Sequence, residues 1–197
     1  LRPARRREPA QVALFGTSAD PPTRGHQALL EGLLERFPLV ATWASDNPLK
    51  RHGAPLALRS RLLAALVEQI HDPRLEQVQA LSSPYAVDTL ERAGARWPGA
   101  ELVFVVGSDL AGQIPRWRRA CDVLAGCRLA IAPRQGRPLA PEAARELERL
   151  GGRIELLPLA VPGTASSALR QSPDPGQIPA SVWPLLLQHN LYGLAAP

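Results

Sequence analysis

Val12-Ala13-Leu14-Phe15-Gly16-Thr17-Ser18-Ala19-Asp20-Pro21-Pro22-Thr23-Arg24-Gly25-His26 is the stretch on which the fold turns. Its first four residues are a short apolar run that reads as a buried strand. Beyond it, Ala28-Leu29-Leu30 and Leu33-Leu34 recur with helical period. A loop of small residues and prolines therefore joins a strand to a helix and delivers a histidine at the helix start. Backbone N–H groups are unpaired there and the helix dipole favours negative charge, so the place suits phosphate. An imidazole at that point donates a hydrogen bond to a phosphate oxygen or carries a charge to it. Asp20, the one acidic residue of the loop, reads as a hydrogen-bond acceptor that shapes the loop rather than as a base.

Strand and helix signals alternate outward from this unit. Strands are expected at 12–15, 39–43, 75–79, 102–106, 128–132 and 153–157. Helices are expected at 26–36, 56–71, 86–97, 117–124, 141–150 and 180–188, the last with Pro184 as a break or kink. This alternation predicts an α/β, doubly wound, Rossmann-like open parallel sheet with helices on both faces. Ligands in such folds sit beyond the carboxyl ends of the strands. The loops to inspect therefore follow Phe15, Trp43, Gln79, Val106 and Leu157. Residues 1–9 are expected to form a basic disordered tail, and 10–197 a single domain.

Composition narrows the class. A chain of 197 residues, 45% hydrophobic, fits a soluble globular protein with a sizeable core. No apolar run reaches the ~18 residues of a membrane span, and no apolar signal-peptide core follows the opening arginines. Arg2, Arg5, Arg6 and Arg7, offset by Glu8, supply most of the formal net charge of +5. The body of the chain is then nearly balanced, which speaks against a nucleic-acid face. Cys121 and Cys127 lack both Cys-x-x-Cys spacing and a partner histidine, so they read as reduced thiols of a cytoplasmic protein rather than a zinc site. No spacing of metal-ligating residues stands out. His52 and His71 read as surface or helix-end residues. The basic set is 22 arginines and a single lysine, Lys50. An ammonium is more compact than a guanidinium and differently hydrated, so Lys50 is either a chance survivor on the surface or the mark of a site needing a small cation.

Two further stretches fall at strand ends. Gly107-Ser108-Asp109 follows Leu102–Val106; the glycine admits a close ligand and the aspartate accepts from a sugar hydroxyl or a ring amine. The alternative is a helix N-cap by Ser108 or Asp109. Gly163-Thr164-Ala165-Ser166-Ser167-Ala168-Leu169-Arg170 offers two serines at a helix start, with Arg170 one turn on along the same face. Here the alternative is a serine-capped surface helix with an incidental arginine.

The order Thr23-Arg24-Gly25-His26 resembles the (His/Thr)-x-Gly-His signature of the nucleotidyltransferase superfamily, and Ala165-Ser166-Ser167-Ala168-Leu169-Arg170 resembles the Ile-Ser-Ser-Thr-x-x-Arg signature that closes the triphosphate site of adenylyltransferases. Between them, Asn47-Pro48-Leu49-Lys50, Ser83-Pro84-Tyr85-Ala86-Val87-Asp88-Thr89-Leu90 and Gly107-Ser108-Asp109 with Ile114-Pro115-Arg116-Trp117 are similar to blocks of the bacterial nicotinate mononucleotide adenylyltransferases. The ending Val182-Trp183-Pro184 with His189-Asn190-Leu191-Tyr192 is similar to that family's closing segment. The resemblance implies transfer of AMP from ATP, carried with Mg²⁺, to nicotinate mononucleotide, giving deamido-NAD and pyrophosphate. It implies candidate catalytic residues His26, Thr23, Lys50 and Arg170. It places ATP against Gly16, Thr17, Ser18, His26, Gly107, Asp109, Ser166, Ser167 and Arg170, and the mononucleotide against Ser18, Lys50, Tyr85, Ala86, Thr89, Trp117 and Arg118.

The chain departs from the family pattern at Thr17, where a second glycine is usual, at Ala19 for an aromatic, at Thr23 for histidine, and at Ala86 for threonine. If pyridine recognition rests on backbone N–H groups, Ala86 costs nothing; if it rests on a hydroxyl, acid and amide are no longer told apart. Two other readings stay open: the same transfer to nicotinamide mononucleotide or phosphopantetheine, and a nucleotide- or RNA-binding module without turnover. A homo-oligomer is compatible with the sequence; a nucleic-acid or membrane partner is not expected.

Overall fold

The computed structural model describes residues 9–47, 50–136, 138–159, 161–162 and 165–194. Residues 1–8 of the expected tail, Pro48-Leu49 and Gly163-Thr164 lie outside the described residues.

Six strands build one sheet: β1 (Gln11–Thr17), β2 (Val40–Ala44), β3 (Leu75–Gln77), β4 (Glu101–Gly107), β5 (Arg128–Ala132) and β6 (Arg153–Leu156), all parallel in the order β3-β2-β1-β4-β5-β6. Side chains alternate with the pleat. Val12 and Leu14 enter one apolar cluster with Leu90, Ala93, Val123, Leu124 and Leu147; Ala13 and Phe15 enter the other with Leu30, Leu33, Leu62, Leu66, Leu169 and Leu186. Helices α1 (Arg24–Leu34), α2 (Leu56–Ile70), α6 (Ser166–Gln171) and α7 (Trp183–Gln188) cover the second face. Helices α3 (Ala86–Arg96), α4 (Ala120–Gly126) and α5 (Pro141–Arg149) cover the first. The predicted doubly wound sheet is the one observed. Leu30 and Leu33, with no exposed surface, each contribute about 1.5–3 kcal/mol by burial.

The order reverses direction at β1, which pairs with both β2 and β4. Chain crossovers leave that point in opposite directions and open a crevice at the carboxyl ends of β1 and β4. The Gly16–His26 loop and Gly107-Ser108-Asp109 meet there.

Several boundaries differ from expectation, each for a visible reason. The third strand stops at Gln77 because the Gln79 carboxamide takes the place of a paired residue. Its Oε1 accepts from Ala44 N–H (3.0 Å) and its Nε2 donates to the Ala44 carbonyl (2.8 Å), while Gln79–Leu81 turns as a 3-10 helix. The helix expected at 117–124 is broken. Ala111–Arg116 is 3-10, Trp117 is extended, Arg119 is left-handed at φ 54°, and α4 starts only at Ala120. Pro184 does not kink a helix at 180–188; it lies in the first turn of α7, where its missing N–H has no partner to lose. Ser108 and Asp109 cap no helix: the Ser108 hydroxyl accepts from Arg134 N–H (3.2 Å), and Asp109 meets the Arg134 guanidinium (3.2 Å). Both cysteines are free; burial pushes the Cys127 thiol up to about 11. No helix of the described residues is long and apolar enough to cross a membrane.

Candidate active site

A cavity of about 810 Å³ opens at the carboxyl ends of β1 and β4. Every residue named above as a candidate site residue contributes to its wall, from Gly16 to Arg170. The wall carries Lys50, Arg51, Arg116, Arg118, Arg134 and Arg170 against one carboxylate, Asp109, among the described residues. Such a concave, low-dielectric cationic surface concentrates polyanions.

His26 is set by the start of α1. Thr23, extended at φ −120° and ψ 168°, is the N-cap: its hydroxyl accepts from Gly25 N–H (3.2 Å) and His26 N–H (3.4 Å). The His26 side chain closes the box in return, Nδ1 accepting from Thr23 N–H at 3.0 Å, with the Thr23 hydroxyl at 2.9 Å. An accepting Nδ1 puts the imidazole proton on Nε2. Burial, and then the nearby Arg134 guanidinium, lower the His26 pKa from 6.5 to about 4. The ring is thus a neutral Nε2–H donor near neutrality, which favours the donor role over a carried charge.

That geometry corrects the expectation for Thr23. Its side chain is 1% exposed and its hydroxyl is engaged by α1 and His26, so it orients the imidazole instead of binding a ligand. Thr89 changes in the same way: its hydroxyl donates to the Leu81 carbonyl (2.9 Å) and pins α3 to the 3-10 turn before it. The Ser166 hydroxyl donates to the Pro21 carbonyl (2.9 Å), tying α6 to the first loop. Thr17 accepts from Ala19 N–H (3.3 Å), helping to hold Ala19 at φ 48°. Gly16 lacks a Cβ because one would lie 2.7 Å from the Trp43 ring. At Gly107 a Cβ would lie 2.5 Å from Asp109 Oδ1, so the space gained is filled by that carboxylate and not left to a ligand.

At the other end of the cavity, α3 opens at Ala86 with Tyr85 as N-cap and no side-chain cap. The Arg118 guanidinium lies over the Tyr85 ring, 4.6 Å from its centroid. Trp117 is half-buried and stands edge-on to Phe104, 6.2 Å between centroids. Lys50 is exposed on the cavity wall. His52, expected at the surface, is instead a wall residue whose side chain is 14% exposed, 3.8 Å from both Asp20 and Asp46. His71 ends α2 in the left-handed region at φ 53°.

Sequence reading missed Arg134, because the loop after β5 was not among those inspected, although it too follows a strand's carboxyl end. It also missed Arg59. That residue occupies a position on the buried stripe of α2, one turn before Leu62 and Leu63 and two before Leu66. It is 1% exposed. It donates to the carbonyls of Ala54 (3.0 Å), Ser18 (2.8 Å) and Ser45 (2.7 Å), and to Asp46 Oδ1 (3.0 Å). A charge inside an apolar stripe was the available signal. No group of three or more His, Cys, Asp or Glu side chains is placed to hold a metal ion among the described residues.

Residues 14–172 match the cytidylyltransferase-like family. The chain belongs to this family, and within it to the nicotinate-nucleotide adenylyltransferases. A protein of Synechocystis named probable nicotinate-nucleotide adenylyltransferase is 37% identical over 198 residues, covering 92% of this chain and 98% of that one. A Mesorhizobium japonicum protein of the same name is 36% identical over 138 residues, 65% of this chain and 68% of its own. The Plasmodium falciparum nicotinic acid mononucleotide adenylyltransferase complexed with NaAD shares the fold at a TM-score of 0.73 and 16% identity, over 95% of this chain and 99% of that one. For this family member the cytidylyltransferase-like match ends two residues beyond Arg170, so it spans both signature stretches.

Proposed function

We propose that this chain transfers the adenylyl group of ATP to the phosphate of nicotinate mononucleotide, forming deamido-NAD and pyrophosphate. The observation that carries this is the cavity at the sheet's switch point, where a neutral His26 Nε2–H donor faces six cationic side chains and one carboxylate. A mononucleotide phosphate oxygen attacks the α-phosphorus in line, the new P–O bond forming as the bond to the β-phosphate oxygen breaks. A phosphate dianion is already nucleophilic, so no protein base is needed. The chain supplies position and charge stabilisation.

His26 donates to an oxygen of the transferring phosphoryl group, and Thr23 holds the ring in place. Arg170, Ser167 and the N–H groups opening α6 hold the β- and γ-phosphates. Asp109 accepts from the nucleoside, and Gly16, Thr17 and Ser18 form the floor. Mg²⁺ would arrive as part of the substrate, on ATP phosphates and water; among the described wall residues the carboxylate available to it is that of Asp109. Residues 10–197 act as one catalytic domain, and two cysteines read as reduced thiols support a cytoplasmic setting.

Lys50 holds the acceptor phosphate or the incoming triphosphate. Lys50→Arg keeps the charge but not its size, and kcat/KM is expected to fall at least tenfold in a pyrophosphate-release assay. A value within threefold of wild type would mean that any cation serves there.

Acid should be preferred to amide. The uncapped start of α3 at Ala86 favours an anion by about 0.3–1 kcal/mol, up to about 2 when partly buried, which corresponds to at most roughly thirtyfold. Arg118, held over Tyr85 beside it, adds a cation. Pyrophosphate release is measured with nicotinate and nicotinamide mononucleotides and with phosphopantetheine. Nicotinate mononucleotide should be used best, Arg118→Ala should erode the preference and Ala86→Thr should widen it. Equal use of acid and amide would leave adenylyl transfer standing and remove the nicotinate assignment; no release with any acceptor would favour a module without turnover.

A further inference from the structure

The closing segment His189-Asn190-Leu191-Tyr192 has no part in the chemistry above, yet the chain bends sharply to bring it to the site. Asn190 at φ 48° and Tyr192 at φ 56° are both left-handed, a conformation that costs a residue with a Cβ and persists where packing demands it. Between them Leu191 is buried in the core. The result is that the Tyr192 hydroxyl donates to Asp20 Oδ1 at 2.7 Å.

Asp20 has no exposed surface. Its Oδ2 accepts from Gly53 N–H (2.7 Å) and its Oδ1 from Ala54 N–H (3.2 Å), which fixes the segment three and four residues after Lys50. Its backbone carbonyl accepts from Arg170 Nη1 (2.9 Å), and the same nitrogen lies 3.5 Å from Oδ2. One carboxylate thus holds two segments that carry cations of the cavity. Arg170 and Tyr192 both close on Gly53: a Cβ there would lie 2.7 Å from Arg170 Cδ and 2.9 Å from Tyr192 Cε1. Arg170 is held by the residue whose carboxylate the Tyr192 hydroxyl satisfies.

We infer that Tyr192 is a positioning residue for adenylyl transfer, aligning Arg170 for the β- and γ-phosphates of ATP through Asp20. The inference rests on the phosphate-binding role proposed for Arg170. Without the hydroxyl, Asp20 Oδ1 keeps only the longer bond from Ala54 N–H (3.2 Å), and the under-satisfied carboxylate turns toward the guanidinium, drawing Arg170 away from the cavity.

The test is a double-mutant cycle on equilibrium binding of ATP and of AMP, which lacks the β- and γ-phosphates, in the absence of acceptor. Tyr192→Phe is expected to weaken ATP about tenfold, the scale of one hydrogen bond to a charged group, with AMP affinity within threefold of wild type. In the Arg170→Ala background it should have no further effect on ATP. Gly53→Ala, whose Cβ crowds both Arg170 Cδ and the Tyr192 ring while leaving the hydroxyl in the chain, should give the same ATP-selective loss and stands in should Tyr192→Phe fail to fold. Equal losses for ATP and AMP, or effects that add to those of Arg170→Ala, would overturn the inference and leave Tyr192 as packing for the chain end. If Arg170→Ala itself leaves the ratio of ATP to AMP affinity unchanged, the phosphate role of Arg170 falls, and the inference with it.

Discussion

His26→Ala is expected to lower kcat about 10²–10³-fold, with KM for either substrate changed little. The imidazole's Nε2–H bond strengthens as negative charge gathers on the transferring phosphoryl group, and removing such a donor from a preorganised site costs on this scale. The structure adds a reason for the size of the effect. The ring is held by Thr23 N–H and hydroxyl at 3.0 and 2.9 Å, so it reaches the transition state without reorganisation. Steady-state pyrophosphate release gives kcat and KM separately. An unchanged kcat would reduce His26 to a helix-capping residue.

The same substitution has a pH signature. His26 has a native pKa near 4, below its ordinary 6.5, because burial and Arg134 disfavour the cation. The unfolded chain therefore takes up a proton first as pH falls through 6.5. Stability drops from there until the native ring protonates near pH 4, by about 3 kcal/mol in all. Above pH 6.5 the group has no such effect. Urea unfolding should show this acid-side slope in wild type and lose most of it in His26→Ala. An NMR titration of the free protein should place the His26 midpoint near pH 4; a midpoint above 6 would contradict the neutral donor.

The fold was legible because its signals are local and periodic. Leu102–Val106 and Arg128–Ala132 are apolar runs of strand length between helical stretches, and nothing competes with that reading. Boundaries failed where a side chain substitutes for backbone, as the Gln79 carboxamide does beside Ala44, or where a residue with a Cβ adopts a left-handed turn, as Arg119 does before α4. Neither has a periodic signature. The wall of the cavity was legible because strand ends in a doubly wound sheet converge. What escaped lies one layer behind it. Arg59 and Tyr192 act by hydrogen bonds between distant segments, and the partners of Asp20, itself legible as an acceptor, lie 33 to 172 residues away; spacing within a motif carries no information about those partners.

Arg59 shows how much rests on that hidden layer, and Arg59→Met is expected to destabilise the fold by about 3–5 kcal/mol. The guanidinium is 1% exposed and supplies donors to three backbone carbonyls and the Asp46 carboxylate. Methionine matches its stem and fits the apolar stripe of α2, so packing is largely kept and the loss is polar. Three carbonyls are left without a donor, each costing about 1–3 kcal/mol if water cannot reach it. Asp46, its side chain 58% exposed, is resolvated by water and adds little to the loss. Arg59→Lys should recover only part, because a single ammonium cannot span acceptors on three segments. The loss should show in urea denaturation as a lower midpoint at unchanged m. It should also show in the reaction, since Ser18 lies on the cavity wall and Ser45 and Asp46 lead to Lys50. At a temperature where Arg59→Met is still folded, kcat/KM should fall at least tenfold, because the first loop and the Lys50 segment are no longer fixed to one another. A destabilisation under 1 kcal/mol with unchanged kcat/KM would mean that water replaces the guanidinium, and that the two loops keep their places without it.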